Sequence, residues 1–196
     1  IIPSETLKQL FSLERITKSG AVFNQDKLNW LNGVYIRQSS KKTLARHLTP
    51  FLEKGLPSKV PRPIDPSYIV KIIPLIQERL KTLADASEMS GFFFQEVLEY
   101  DPHNLIQKNM DAKLTKLALV RSLEVTRSTT PFATQNLEEG LRALACELSL
   151  SGRQLFGLLR VATTGRSAAP PLFETMETLG RARCVKRLQQ ARELLE

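Results

Sequence analysis

Cysteine and histidine are scarce: two of each stand among 196 residues. Cys146 and Cys184 lie far apart, neither belongs to a C-x-x-C pair, and His47 and His103 fall near neither. That spacing argues against a zinc site and a disulfide scaffold, and it predicts two small core thiols in a reducing compartment. Long apolar runs are also missing. None approaches the ~18–20 residues a membrane span needs, and the start lacks the basic cap and apolar stretch of a secretory signal. Sustained apolar–polar alternation is absent, so nothing reads as a sheet. No fixed period recurs, which argues against a helical-repeat scaffold. No nucleophile–base pair or metal constellation is present, so a free-standing enzyme is the weakest reading. The chain begins Ile1-Ile2-Pro3 without Met and reads as an excised piece of something longer.

What is abundant is positive charge, a formal +8. Residues 1–90 hold 14 basic against 8 acidic residues, and residues 91–196 hold 14 against 12. Such an excess suits a polyanionic partner, nucleic acid above all. The basic residues change type along the chain, from mostly Lys before residue 90 to almost all Arg from Arg121 onward. Lysine is a compact charge suited to phosphates, whereas arginine is a planar fork that can address base edges. The pattern suggests backbone gripping in one half and base reading in the other; codon usage in a GC-rich genome is the competing explanation.

Helical spacing recurs throughout, and the expected class is all-α. Short helices are predicted at 4–11, capped by Ser4, and at Gln25–Arg37, with Leu28, Leu31 and Tyr35 on one face. Residues 41–54 place Leu44, Leu48, Phe51 and Leu52 on one side. Pro57, Pro61, Pro63 and Pro66 then forbid regular helix and predict a stiff loop. Helix resumes over 67–83 with a kink at Pro74. Ser87–Gly91 breaks the pattern, and the main boundary is placed there. Residues 108–126 form a helix burying Leu114, Leu117, Leu119 and Leu123. Two capping boxes follow, Asn136 with Glu139 and Ser151 with Gln154; the second helix ends at Gly165. Pro171 opens a further helix that stops at Gly180, and a last one covers 181–195.

Two stretches carry a resemblance. The first is Phe11, Leu13, Glu14, Arg15, Ile16, Lys18, Ser19, Ala21, Val22 and Phe23, followed by Lys27, Leu28, Trp30, Leu31 and Asn32. The second is Leu159, Arg160, Ala162, Thr164 and Gly165, then Pro170, Leu172, Phe173 and Glu174. In order and separation they resemble bacterial-type glutamyl-tRNA synthetases: the end of the stem-contact region, then the C-terminal anticodon-binding part. The resemblance implies a division into 1–37 (end of the stem-contact region), 38–90 and 91–196, the latter two being helical subdomains that form an anticodon-binding cage.

It also implies that a class I catalytic domain precedes residue 1. Neither ATP-handling motif of that domain is present here, so this part has no catalytic residue, no metal site and no cofactor. ATP and magnesium would serve the parent, a glutamate–tRNA ligase. The implied partner is glutamate tRNA through its anticodon loop, in the cytoplasm, with a monomer expected and neither membrane nor DNA involved. A helix-turn-helix DNA module is the alternative, but the helices over 136–162 carry leucine stripes suited to packing.

Carried over by motif, the implied anticodon contacts are Arg160, Leu172 against an unstacked base, and Ala169 with Pro170 as a wall. Arg142 joins them on spacing alone. Arg153 lies seven residues before Arg160, on the same helix face. Arg79 falls where the family reads the third anticodon base, and an arginine there resembles enzymes that charge only glutamate tRNA. The structural alternatives are a core-edge ion pair for Arg160, plain core for Leu172 and a solvated helix arginine for Arg79; Phe173 reads as core. Pro171, the donor-poor Ser167-Ala168-Ala169, Phe132 and Thr134 depart from the family's pattern.

Overall fold

The computed structural model describes residues 1–15, 20 and 22–195. These form an all-α molecule with no strand among them. Part of the first recognised stretch, residues 16–19 and 21, lies outside the described residues. The helices are α1 (Ser4–Leu10), α2 (Gln25–Gln38), α3 (Lys41–Gly55), α4 (Pro66–Ile76), α5 (Asp85–Phe94), α6 (Ala112–Ser128), α7 (Thr134–Glu147), α8 (Gly152–Thr164), α9 (Leu172–Leu179) and α10 (Arg181–Glu193).

Residues 1–15 bury nothing: Leu7, Leu10 and Phe11 are exposed, and Pro3 rather than Ser4 precedes the first turn without a side-chain cap. In α2 the buried residues are Gly33 and Ile36, while Trp30 and Tyr35 face outward. The core begins properly with α3, where Leu44, Leu48 and Leu52 recur every four residues and are fully buried. This is the one-face stripe of an amphipathic helix. Phe51, one position off that stripe, is exposed.

The proline-rich loop after α3 is held by one side chain. Arg62 donates to the carbonyls of Glu53 (3.0 Å), Leu56 (2.8 Å), Pro57 (3.0 Å) and Val60. Carbonyls at a helix C-terminus have no intrahelical donor, so a cation there both satisfies them and complements the dipole.

Helix α4 starts as its sequence dictates, with Asp65 accepting from the Ser67 N–H and Pro66 in the first turn. It ends earlier than expected. Past Pro74 the chain tightens to a 3-10 turn at Gln77–Arg79 and extends at Leu80. Proline removes one i→i−4 bond, and Asp85 then gathers the N–H groups of Lys81 (3.1 Å) and Thr82 (2.8 Å), stopping helix short of residue 83.

The expected boundary at 90/91 falls inside α5. Its small residues serve close packing. Ser87 donates to the Phe51 carbonyl at 2.9 Å, and a β-carbon on Gly55 would lie 2.2 Å from the Ser87 hydroxyl. The Ser90 hydroxyl bonds back to Ala86 at 2.6 Å, and Phe92 and Phe93 are buried.

Helices α6 to α10 form the rest, with α6 lying along α10. The buried face of α6 is Thr115, Ala118, Leu119, Ser122, Leu123 and Thr126, while Leu117 is 47% exposed. Thr115 and Thr126 are tolerated inside because their hydroxyls donate to the carbonyls four residues back, both at 2.7 Å. The Ser151–Gln154 capping box forms as expected. The Asn136–Glu139 box does not: α7 begins two residues earlier, where the carboxylate of Glu177 on α9 accepts from the Thr134 N–H (2.8 Å) and hydroxyl.

The two halves are riveted at α10. Arg187 is 1% exposed and donates to the carbonyls of Phe92 (2.6 Å), Gln95 (2.8 Å) and Thr163. It thereby ties the ends of α5 and α8 together. Arg183 beside it donates to Phe93 O (2.8 Å) and the Tyr68 hydroxyl (3.0 Å).

The cysteines split. Cys184 is buried, and burial pushes its thiol up to about 12; Cys146 is exposed, correcting the expectation of two core thiols. A thiol reagent under native conditions is expected to titrate Cys146 alone, and Cys184 only after denaturation. Two rapidly reacting thiols in the native protein would contradict this placement.

Candidate nucleic-acid interface

Of the six residues singled out from the sequence, Ala169 and Pro170 lie in the loop 165–171, Leu172 opens α9, Arg79 meets the loop at Ala169, and Arg160 and Arg142 stand on α8 and α7. Gly165 turns the chain out of α8 with φ 73°, the left-handed region where glycine carries no penalty. Thr164 holds that turn: its hydroxyl donates to Arg160 O at 2.7 Å and accepts from the Arg166 N–H at 3.3 Å. Beyond it Ala169 is half-buried, Pro170 is buried and Pro171 is exposed.

Arg79 reaches this loop from 90 residues away. Its Nη1 donates to the Ala169 carbonyl at 3.1 Å, and the side chain is otherwise exposed. A guanidinium has five N–H donors in a rigid fork. One bond to Ala169 therefore orients the plane and leaves the other donors facing outward.

Arg142, on α7, is engaged on both sides. Glu138 one turn earlier accepts from its Nε at 2.8 Å, and the guanidinium lies 5.5 Å from the centre of the Phe156 ring. Phe156 meets Phe173 edge to face, with centroids 5.1 Å apart. A cation–aromatic–aromatic column thus runs from Arg142 to the start of α9. Arg160 lies one turn beyond Phe156 on α8 and is partly buried; its Nε is buried with no hydrogen-bond partner among the described residues.

Leu172 is a correction. It is 4% exposed and belongs to the core, so its side chain presents no face to a base. The periodicity of α9 explains this: Leu172, Phe173, Met176 and Leu179 make one stripe, all buried. Phe173 is core as expected. Two participants were missed. Glu138 was readable from its i,i+4 spacing to Arg142. Phe156 was not, because it meets Arg142 from another helix. Arg166 is a further exposed arginine in the loop.

Among the described residues no group of three or more His, Cys, Asp or Glu could hold a metal ion. No helix of the described residues is long and apolar enough to cross a membrane.

Comparison with known proteins fits this geometry. A family model described as an anticodon binding domain matches residues 43–192. The chain belongs to that anticodon-binding domain family. The glutamate–tRNA ligase of Roseiflexus castenholzii is 44% identical over the whole chain, which covers 39% of that protein. The glutamate–tRNA ligase of Dehalococcoides mccartyi strain CBDB1 is 43% identical over 95% of the chain, covering 38% of the relative. The crystal structure of a glutamate tRNA ligase from Elizabethkingia meningosepticum, in complex with its amino acid, aligns over 98% of the chain and 37% of its own at TM-score 0.82 and 22% identity. At that identity it supports the fold. The chain thus spans about two-fifths of the length of the relatives it matches. The anticodon-binding match begins at Thr43, two residues into α3, and spans α5 without interruption.

Proposed function

We propose that this chain reads the anticodon of glutamate tRNA as part of a glutamate–tRNA ligase. The parent would attach glutamate to that tRNA with ATP and magnesium, handled outside this part. It would act in the cytoplasm, and this part would bind its RNA as a monomer. The observation that carries the reading is the bond from Arg79 to Ala169. It joins the end of α4 to the loop before α9, giving one exposed lip with a pre-oriented guanidinium.

Anticodon bases are single-stranded and can be splayed, so their edges are open to side chains in a way a duplex forbids. The free edge of Arg79 matches the acceptors of one base, and holding it in place beforehand lowers the entropy cost of the contact. Arg160 supplies a second donor near α8's end. Arg142, already paired with Glu138, contributes by stiffening the Phe156–Phe173 column. The divisions 38–90 and 91–196 are retained as regions contributing Arg79 and the loop respectively, bridged by α5.

The test is one titration of this chain with glutamate tRNA, an anticodon-altered version and duplex DNA, at two salt concentrations. The expected order is glutamate tRNA tightest, the altered RNA weaker and DNA weakest, with salt weakening all three. Equal affinity for the two RNAs would refute anticodon reading, and preference for the duplex would favour a DNA module.

A further inference from the structure

A second concentration of positive charge lies on α3, beside the lip and not on it. Residues 37–54 hold Arg37, Lys41, Lys42, Arg46 and Lys54 against a single acid, Glu53. Lys41, Lys42, Arg46 and Lys54 are exposed on α3, and none of the five is in an ion pair among the described residues. Four cations of the C-terminal half are neutralised locally. Arg121, Arg142, Arg183 and Lys186 are each paired with a glutamate. The α3 cations therefore project a field that those four largely cancel.

Lys42 and Arg46 stand one turn apart on the rim of an open groove of about 530 Å³ between α3 and α4. Pro50, Pro66 and Val70 make its apolar side, and Glu53 is at the far end. One helical turn separates the two cations by about 6 Å along the axis, comparable to the separation of successive phosphates along a strand. The groove also points toward the lip. Gln77 donates to the carbonyls of Ile36 and Ser39, both at 2.9 Å, which places the end of α4 beside the start of α3. Lys42 is thus at the same end of the helix pair as Arg79, two residues past Gln77.

We propose that this α3 strip is a second RNA contact, holding the phosphodiester backbone of the same tRNA whose anticodon meets the lip. The inference rests on the tRNA-reading proposal. Lysine-rich point charges suit phosphates and carry no sequence information, so the strip supplies affinity while the lip supplies discrimination.

The experiment uses the 196-residue chain carrying Lys42→Glu with Arg46→Glu, and separately Lys42→Gln with Arg46→Gln. Each is titrated by fluorescence anisotropy with glutamate tRNA and its anticodon-altered version across a salt series. Both residues are exposed, and circular dichroism checks that helix content is unchanged. The glutamine pair is expected to weaken both RNAs by the same factor, on the order of tenfold at low salt, and to lower the salt slope by roughly 1.5. The glutamate pair should weaken them further. Unchanged affinity in both variants overturns the inference, whether or not an acidic peptide binds the groove. A loss confined to one RNA also overturns it, because backbone contacts do not discriminate. If the unmodified chain ignores the anticodon while both variants still weaken both RNAs, anticodon reading fails and the backbone strip stands.

Discussion

Arg79→Gln is expected to abolish most of the preference for glutamate tRNA over an anticodon-altered tRNA while leaving the fold intact. A bidentate contact to a base contributes ~1–3 kcal/mol of discrimination, about 5- to 150-fold in relative affinity. Glutamine keeps a donor but loses the planar fork and the charge. The bond to Ala169 is exposed at 3.1 Å, and an exposed neutral-acceptor bond adds about 1 kcal/mol or less to stability. The melting temperature should therefore hardly move while the preference collapses. Arg79→Lys separates charge from geometry: it keeps the cation and should still lose the preference. Restoration by lysine would reduce Arg79 to a general phosphate contact. In the full-length enzyme, Arg79→Gln should raise charging of glutamine tRNA relative to glutamate tRNA, and an unchanged ratio would refute the assignment.

The second large effect is on stability. Arg187→Met is expected to destabilise the chain by about 3–5 kcal/mol, because three main-chain carbonyls lose their donor together. Replacing a buried ion pair with apolar residues can be neutral, because both polar partners leave together. Here that escape is closed. The partners of Arg187 are the main-chain carbonyls of Phe92, Gln95 and Thr163, which no side-chain substitution removes. Each unsatisfied buried acceptor costs roughly 1–3 kcal/mol. For a chain of this size the melting temperature should fall by roughly 10 °C, read by circular dichroism. Burial lowers Arg187 to about 10, so it remains protonated in folded and unfolded chains at neutral pH, and the loss should be flat across the neutral range. Arg187→Lys should recover little, since one ammonium cannot span acceptors at two helix ends. A shift below about 2 °C for Arg187→Met would show that the rivet is dispensable.

Both predictions turn on contacts that no local pattern announces. The Ser151–Gln154 box was legible because its partners lie three residues apart and each side chain meets the other's backbone. The Asn136–Glu139 box obeyed the same rule and failed, because Glu177 satisfies the Thr134 N–H from another helix. Leu117 looked like core and is exposed, while Thr115 and Thr126 look polar and are inside with hydroxyls bonded to the carbonyls four residues back. Ser87–Gly91 looked like a break and is helix, since small residues are what a close approach to α3 requires. In the interface, arginines were legible as types; which of them keep free donors was not. Arg142 is paired, Arg160 has an unpartnered Nε and Leu172 is core.

Periodicity, prolines and charge alone determined that this is an all-α, basic chain with a stiff loop after α3 and a helix ending at Gly165. Those features depend on residues within about one helical turn of each other, so the order of residues suffices. The tertiary structure decided that Arg79 meets Ala169, that Arg187 joins α5 to α8, and that the α3 cations are in no ion pair among the described residues. Each depends on which surfaces pack face to face. A helix's sequence says which stripe must be buried, and only the packed chain says against what.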